Sequence, residues 1–150
     1  MSGDVLLVKI HPDCKNPSPI SKPAKDGDVG YDLKIWSDTE NPIIIKPHEM
    51  LDIRTGVFIK LPDGYWADIR PRSSTFAKRK LFIMGGTIDS GYTGEISVYI
   101  WNPTNEPHEV SNGDRLAQLV IGRIFTPRIE MVDRLPITVR ADTGFGSTDK

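Results

Sequence analysis

The chain has 150 residues, with 19 basic and 20 acidic side chains, three histidines and one cysteine. That length suits one domain, 1–150, able to bury a core without disulfides or metals. A net charge of −1 argues against a nucleic-acid-coating surface, and the lone Cys14 excludes an intramolecular disulfide. Residues 5–8 are too short an apolar run for a signal peptide, and no run approaches the ~18 residues of a membrane span. The expectation is a soluble, cytoplasmic protein, or one in the host cytoplasm or nucleus if viral, with no nucleic-acid or membrane partner.

In chain order, residues 5–10 have strand character. Residues 11–28 carry four prolines and three lysines, a composition that excludes a helix and predicts a surface loop. Residues 32–36 alternate polar and apolar side chains at period two. Ile43, Ile44 and Ile45 lie between Pro42 and Pro47 as a short strand. Residues 51–59 form another β-type run, broken by Gly56. Leu61-Pro62-Asp63-Gly64 signals a turn, and 65–70 continues as strand.

Residues 73–80 are the one segment of helical composition. Ser73 and Ser74 are placed to cap its start, and its basic residues suit the last turn. Residues 96–100 alternate as a half-buried strand. Turns are expected at 102–107 and 112–115. Residues 116–124 form a long apolar strand interrupted by Gln118. Pro127 and Pro136 punctuate the run from 125 towards the tail. Turn signals recurring about every ten residues, with no long helical period, predict an all-β sandwich or barrel with one short helix.

Five polar and glycine-containing segments stand out against this background. Gly30-Tyr31-Asp32-Leu33 places a carboxylate where a strand begins. Pro71-Arg72-Ser73-Ser74 sets a guanidinium and two hydroxyls at a helix start, a combination able to bind phosphate. Residues 85–95 hold four glycines around Asp89 and Tyr92, read as a β-hairpin that sets a base beside a flat substrate. Gly113-Asp114-Arg115-Leu116-Ala117-Gln118 puts an amide inside an apolar strand. Arg140 precedes Gly144-Phe145-Gly146-Ser147-Thr148, a tail with backbone donors, hydroxyls and a ring that can close over a ligand. An aromatic ring, phosphate donors, spare carboxylates and a closing tail fit a nucleotide polyphosphate with a metal ion.

In this order, the five segments resemble the five motifs of the homotrimeric dUTPase family, and the resemblance runs from residue 30 to 148. It implies a distorted jelly-roll or β-barrel fold with a flexible C-terminal tail, about 140–150, acting as a mobile lid. It implies a homotrimer with active sites shared between subunits. The implied reaction is Mg²⁺-dependent hydrolysis of dUTP to dUMP and pyrophosphate, keeping uracil out of DNA and supplying dUMP for dTMP synthesis. By this resemblance Asp89 activates the attacking water, and Tyr92 stacks under the deoxyribose and excludes a 2′-hydroxyl. Backbone at Gly86, Thr87 and Ile88 reads uracil, and Phe145 covers it. Arg72, Ser73, Ser74, Gln118, Arg140, Gly146, Ser147 and Thr148 bind phosphates. Asp32 meets the metal through water.

The residues agree with that chemistry. Attack at the α-phosphorus needs a base, fixed donors and charge neutralisation. His11, His48, His108 and Cys14 are scattered and suit no catalytic zinc, and no P-loop motif is present. Two features depart from the family pattern. Many members carry an asparagine that helps read uracil six residues before the catalytic Asp, where this chain has Ile83. Ser74 stands where glycine is frequent. The Gly85-Gly86 entry is shared with some viral members. A dCTP deaminase, the nearest rival, carries a glutamate ten residues after that Asp; this chain has Tyr99. A purely regulatory binding protein is the other rival, and the presence of Asp89, Arg72 and the tail motif argues against it.

Overall fold

The computed structural model describes residues 4–84 and 86–144. Strands β1 (Leu7–Ile10), β5 (Met50–Lys60), β9 (Glu95–Trp101) and β7 (Phe82–Met84) form one sheet in the order β1-β5-β9-β7. A second sheet runs β2-β3-β11-β6-β8, with β2 Ile20–Ser21, β3 Gly30–Lys34, β11 Arg115–Arg123, β6 Tyr65–Pro71 and β8 Gly86–Ile88. A small ribbon pairs β4 (Ile43–Ile45) with β10 (His108–Val110). All the pairings are antiparallel among the described residues.

Period-two alternation decides which side chains enter the core. On β9, Ile96, Val98 and Ile100 are buried, while Ser97, Tyr99 and Trp101 point the other way. On β11, Leu116, Ala117 and Leu119 are buried. They join Leu33, Ile53, Ile59, Leu61, Ile69 and others in one apolar cluster between the sheets. The β5 pairing to β9 shifts register between Arg54 and Val57. There the buried Thr55 Oγ1 donates to the Ile96 carbonyl at 2.6 Å, so the bulge leaves its hydroxyl satisfied. Buried Asn102 donates through Nδ2 to the Ile45 carbonyl at 3.0 Å and ties the small ribbon to the end of β9.

Helix α1 (Ser73–Arg79) matches the expected segment, with Lys78 and Arg79 in its last turn. The expected serine cap is absent: Arg72 is the N-cap, with no side-chain cap hydrogen bond. The helix is held instead through Thr75, whose buried hydroxyl donates to the Leu116 carbonyl at 2.6 Å. Residues 11–28 are a loop as expected, except that Ile20 and Ser21 add a two-residue strand to β3.

The 85–95 stretch differs most from its reading as a hairpin. β8 lies in the five-stranded sheet against β6, whereas β9 and the preceding β7 lie in the four-stranded sheet. Residues 89–94 therefore connect two sheets and do not close a ladder between paired neighbours. Ile83, at the departure from the family pattern, is core: it pairs with Ile100 and is 6% exposed. Beyond β11, residues 124–144 contain no helix or strand, and 123–143 are exposed. Phe125, Ile129, Met131, Leu135, Ile137 and Val139 are each at least 82% exposed.

Candidate active site

Sheet register assembles the first cluster. β11 pairs with β3 on one side and β6 on the other, so Gln118 stands opposite both Asp32 and Arg70. Gly30 is two residues from Asp32 and shares its face. β6 ends at Pro71, and Arg72 leaves it in an extended conformation before the helix starts. Arg72 Nε donates to Asp32 Oδ1 at 2.9 Å, and its backbone N–H donates to the Leu116 carbonyl at 3.3 Å. Gln118 Nε2 donates to the Pro71 carbonyl at 3.0 Å. From the far end of the helix, Arg79 Nη1 donates to Asp114 Oδ2 at 2.9 Å. The strand ends and the helix are thus tied together around Arg72.

Asp28, Gly30, Asp32, Arg72, Ser73 and Gln118 line a cavity of about 470 Å³. Guanidinium, hydroxyl and amide donors beside carboxylates suit a polyanion accompanied by a hard cation. The Arg72–Asp32 pair is partly solvated, with side chains 33% and 27% exposed. It is therefore modest in energy and open to rearrangement by a ligand. Among the described residues no group of three or more His, Cys, Asp or Glu could cage a metal. Asp32, with Asp28 on the same cavity, fits a Mg²⁺ that keeps most of its waters and leans on substrate phosphates.

The second cluster lies on the crossover. β8 pairs Gly86 with Ile69, Thr87 with Asp68 and Ile88 with Ala67. Gly86, Thr87, Ile88 and Tyr92 share a cavity of about 230 Å³ with Ser97 and Tyr99. The Tyr92 hydroxyl donates to the Glu95 carbonyl at 2.9 Å, and its backbone N–H donates to the Asp89 carbonyl at 3.0 Å. The ring lies against Gly94: a Cβ there would stand 2.5 Å from the Tyr92 oxygen and 2.7 Å from Cζ. Glu95, which also borders this cavity, is engaged by Arg54 at 2.7 and 2.9 Å. That hydrogen bond raises the Arg54 pKa above its ordinary value. Asp89 follows Ile88, is exposed, and has no hydrogen-bond or ion-pair partner for its carboxylate among the described residues.

The two clusters do not meet within one chain. β8 borders β6, but Ile88, just before Asp89, pairs with Ala67, five residues before Arg72, roughly 16 Å along the strand. Of the residues singled out in the sequence, Asp32, Arg72, Ser73 and Gln118 come together, as do Gly86, Thr87, Ile88 and Tyr92. Ser74 and Arg140 line neither cavity. Arg140 instead folds onto its own turn, with Nε donating to the Thr143 carbonyl at 2.6 Å. Phe145, Gly146, Ser147 and Thr148 lie outside the described residues. Sequence reading overlooked the 24–29 end of the proline-rich loop as a cavity wall, and Ser97 as a lining residue. The alternation of β9 already grouped Ser97 with Tyr99; nothing in the loop's composition marked Asp28.

Among the described residues no helix is long and apolar enough to cross a membrane. The dUTPase family profile matches residues 16–149. The deoxyuridine 5′-triphosphate nucleotidohydrolase of Finegoldia magna is 39% identical over 136 residues, covering 89% of this chain and 94% of that protein. That of Paramecium bursaria Chlorella virus 1 is 34% identical over 123 residues, covering 82% and 84%. Among solved structures, the dUTPase of Staphylococcus bacteriophage 80alpha with dUpNHpp has a TM-score of 0.78 and 28% identity, covering 95% of this chain and 97% of that one. The phage phi11 dUTPase has a TM-score of 0.70 and 27% identity, covering 87% and 97%. The nearly all-β architecture with one short helix is of the jelly-roll type shared with these structures.

Proposed function

This chain belongs to the dUTPase family and hydrolyses dUTP to dUMP and pyrophosphate, and we propose that it does so at active sites shared between copies of a homotrimer. The observation that carries the shared site is the register of β8 on β6: Ile88, just before Asp89, pairs with Ala67, five residues before Arg72, roughly 16 Å along the strand. A carboxylate that far from the phosphate donors cannot serve them within its own chain. Brought against the Arg72 cluster of a neighbouring copy, it can. The exposed apolar side chains of 124–139 support association, because a monomer gains nothing by leaving them in water.

In this reading Arg72, Ser73 and Gln118 hold the triphosphate, with Asp32 facing the water shell of Mg²⁺. The cation, when bound, neutralises charge on the phosphate oxygens. Asp89 accepts a proton from a water that attacks the α-phosphorus in line. A new P–O bond forms as the bond to the bridging oxygen breaks, and pyrophosphate leaves with its electron pair. Gly86, Thr87 and Ile88 present backbone groups to the uracil edge. Tyr92, pinned by Gly94 and the Glu95 carbonyl, presents its ring to the deoxyribose, where a 2′-hydroxyl would clash. Residues 140–150 act as the closing lid: Phe145 covers the base, and Arg140, Gly146, Ser147 and Thr148 reach the outer phosphates. Ser74 supports the phosphate side through its backbone. The protein works in the cytoplasm, or in the host cytoplasm or nucleus if viral, keeping uracil out of DNA and supplying dUMP for dTMP synthesis.

Subunit complementation tests the shared site. Arg72→Ala and Asp89→Asn chains, each nearly inactive alone, are co-refolded in equal amounts. Random trimers restore roughly a quarter of the sites if each site takes Arg72 from one copy and Asp89 from another. No recovery in confirmed mixed trimers rejects it. Product analysis with dUTP, dCTP, dTTP and UTP, with and without Mg²⁺, tests selectivity and the cation together. Turnover of dUTP that is insensitive to Mg²⁺ removal removes the cation from the reading.

A further inference from the structure

Gly30 has no side chain to offer a ligand, and its backbone needs no glycine: it is not among the positive-φ glycines, which are Gly27, Gly56, Gly64 and Gly113. What it supplies is space. A Cβ built on Gly30 would stand 2.8 Å from Gln118 Cδ and closer still to Gln118 Oε1, with Cβ of Gln118 at 3.4 Å. The Gln118 amide therefore lies over the Gly30 backbone, in the room a side chain would take. Its other end is fixed by donation from Nε2 to the Pro71 carbonyl at 3.0 Å, one residue before Arg72. Both residues line the same cavity.

We propose that Gly30 is a positioning residue for the reaction: it seats the Gln118 amide flat against β3 so that the amide faces the phosphates held by Arg72 and Ser73. The inference rests on the phosphate role given to Gln118 above. It is distinct from a folding role, because the obstructing atoms are the mobile end of a side chain on an open cavity. An alanine methyl at position 30 displaces the amide, not the strand. Displacement breaks the Gln118–Pro71 bond and withdraws a donor from the cavity while the β3–β11 ladder stays paired.

A double-mutant cycle separates these roles. Wild type, Gly30→Ala, Gln118→Ala and the double variant are compared for kcat and KM with dUTP and for the thermal midpoint of the assembled protein. Gly30→Ala is expected to raise KM about tenfold, the scale of losing one hydrogen bond to a charged group, with the midpoint nearly unchanged. Gln118→Ala matches that rise, and adding Gly30→Ala to it brings no further loss. An equal Gly30→Ala penalty in both backgrounds overturns the inference, as does no penalty beside a clear Gln118→Ala effect. Failure of Gly30→Ala to fold in either background also overturns it, since the glycine is then structural. A Gln118→Ala protein with wild-type KM removes Gln118 from phosphate binding and takes the inference down with that earlier reading.

Discussion

The two clusters differ in how firmly their carboxylates are held. Asp32 sits mid-sheet, opposite Gln118 on the β3–β11 ladder, and is ion-paired to Arg72 at 2.9 Å. Asp89 sits where the chain passes from the five-stranded to the four-stranded sheet, exposed and without a partner among the described residues. Groups that hold a charged ligand gain from being fixed beforehand, because little rotamer freedom is then lost on binding. A group that accepts a proton must keep a lone pair free for the water it activates. Glu95, six residues on at the start of β9, shows the contrast: its carboxylate is taken up by Arg54, so it cannot substitute for Asp89.

Asp89→Asn puts this division between a held and a free carboxylate at greatest risk. It is expected to lower kcat about 10²–10⁴-fold, the usual cost of losing a general base, with the KM for dUTP little changed. A near wild-type kcat would return the base to some other group. Deleting residues 144–150 is expected to reduce kcat/KM about 10²-fold through loss of positioning, while size-exclusion chromatography still reports the assembled form. Unchanged kinetics would take the tail out of the mechanism.

Asp32→Asn probes the held carboxylate. It leaves Arg72 without its ionic partner and should raise the Mg²⁺ concentration for half-maximal activity about 10–100-fold, with kcat at saturating Mg²⁺ less affected. An unaltered Mg²⁺ titration would separate Asp32 from the cation. The smallest effect is expected at Ser74→Ala: its side chain lines neither cavity, so turnover and stability should stay within about 0.5 kcal/mol of wild type. A rise in KM comparable with Ser73→Ala would show that the Ser74 hydroxyl reaches substrate after all.

Much of this was legible in the sequence because it depends on short-range order. The alternation of 96–100 placed Ile96, Val98 and Ile100 inside, and the isoleucine triplet at 43–45 became β4. The helix appeared within one residue of its expected end, because no other segment lacked both turn residues and β-branched runs. What failed were inferences from local patterns that two distant segments could override. Ser73 and Ser74 look like caps, but the helix start is tied down by Arg72 and by Thr75 bonding to Leu116. Residues 85–95 look like a hairpin, yet β8 finds its hydrogen bonds on β6 and β9 finds its own on β5 and β7. Ile20 and Ser21 pair with β3 through backbone groups, which leave no mark in composition.

The order of residues was enough to fix the β architecture, its single helix and the chemical inventory of the site, because side-chain periodicity and functional-group type are properties of short segments. Which of those groups became neighbours was settled only when the sheets assembled. Assembly set Gln118 between Asp32 and Arg70, laid its amide over Gly30, buried Ile83 in the core and set Asp89 roughly 16 Å along β6 from Arg72. Register and sheet order arise from hydrogen bonds between backbones far apart in sequence, and those bonds are much the same for every residue type except proline.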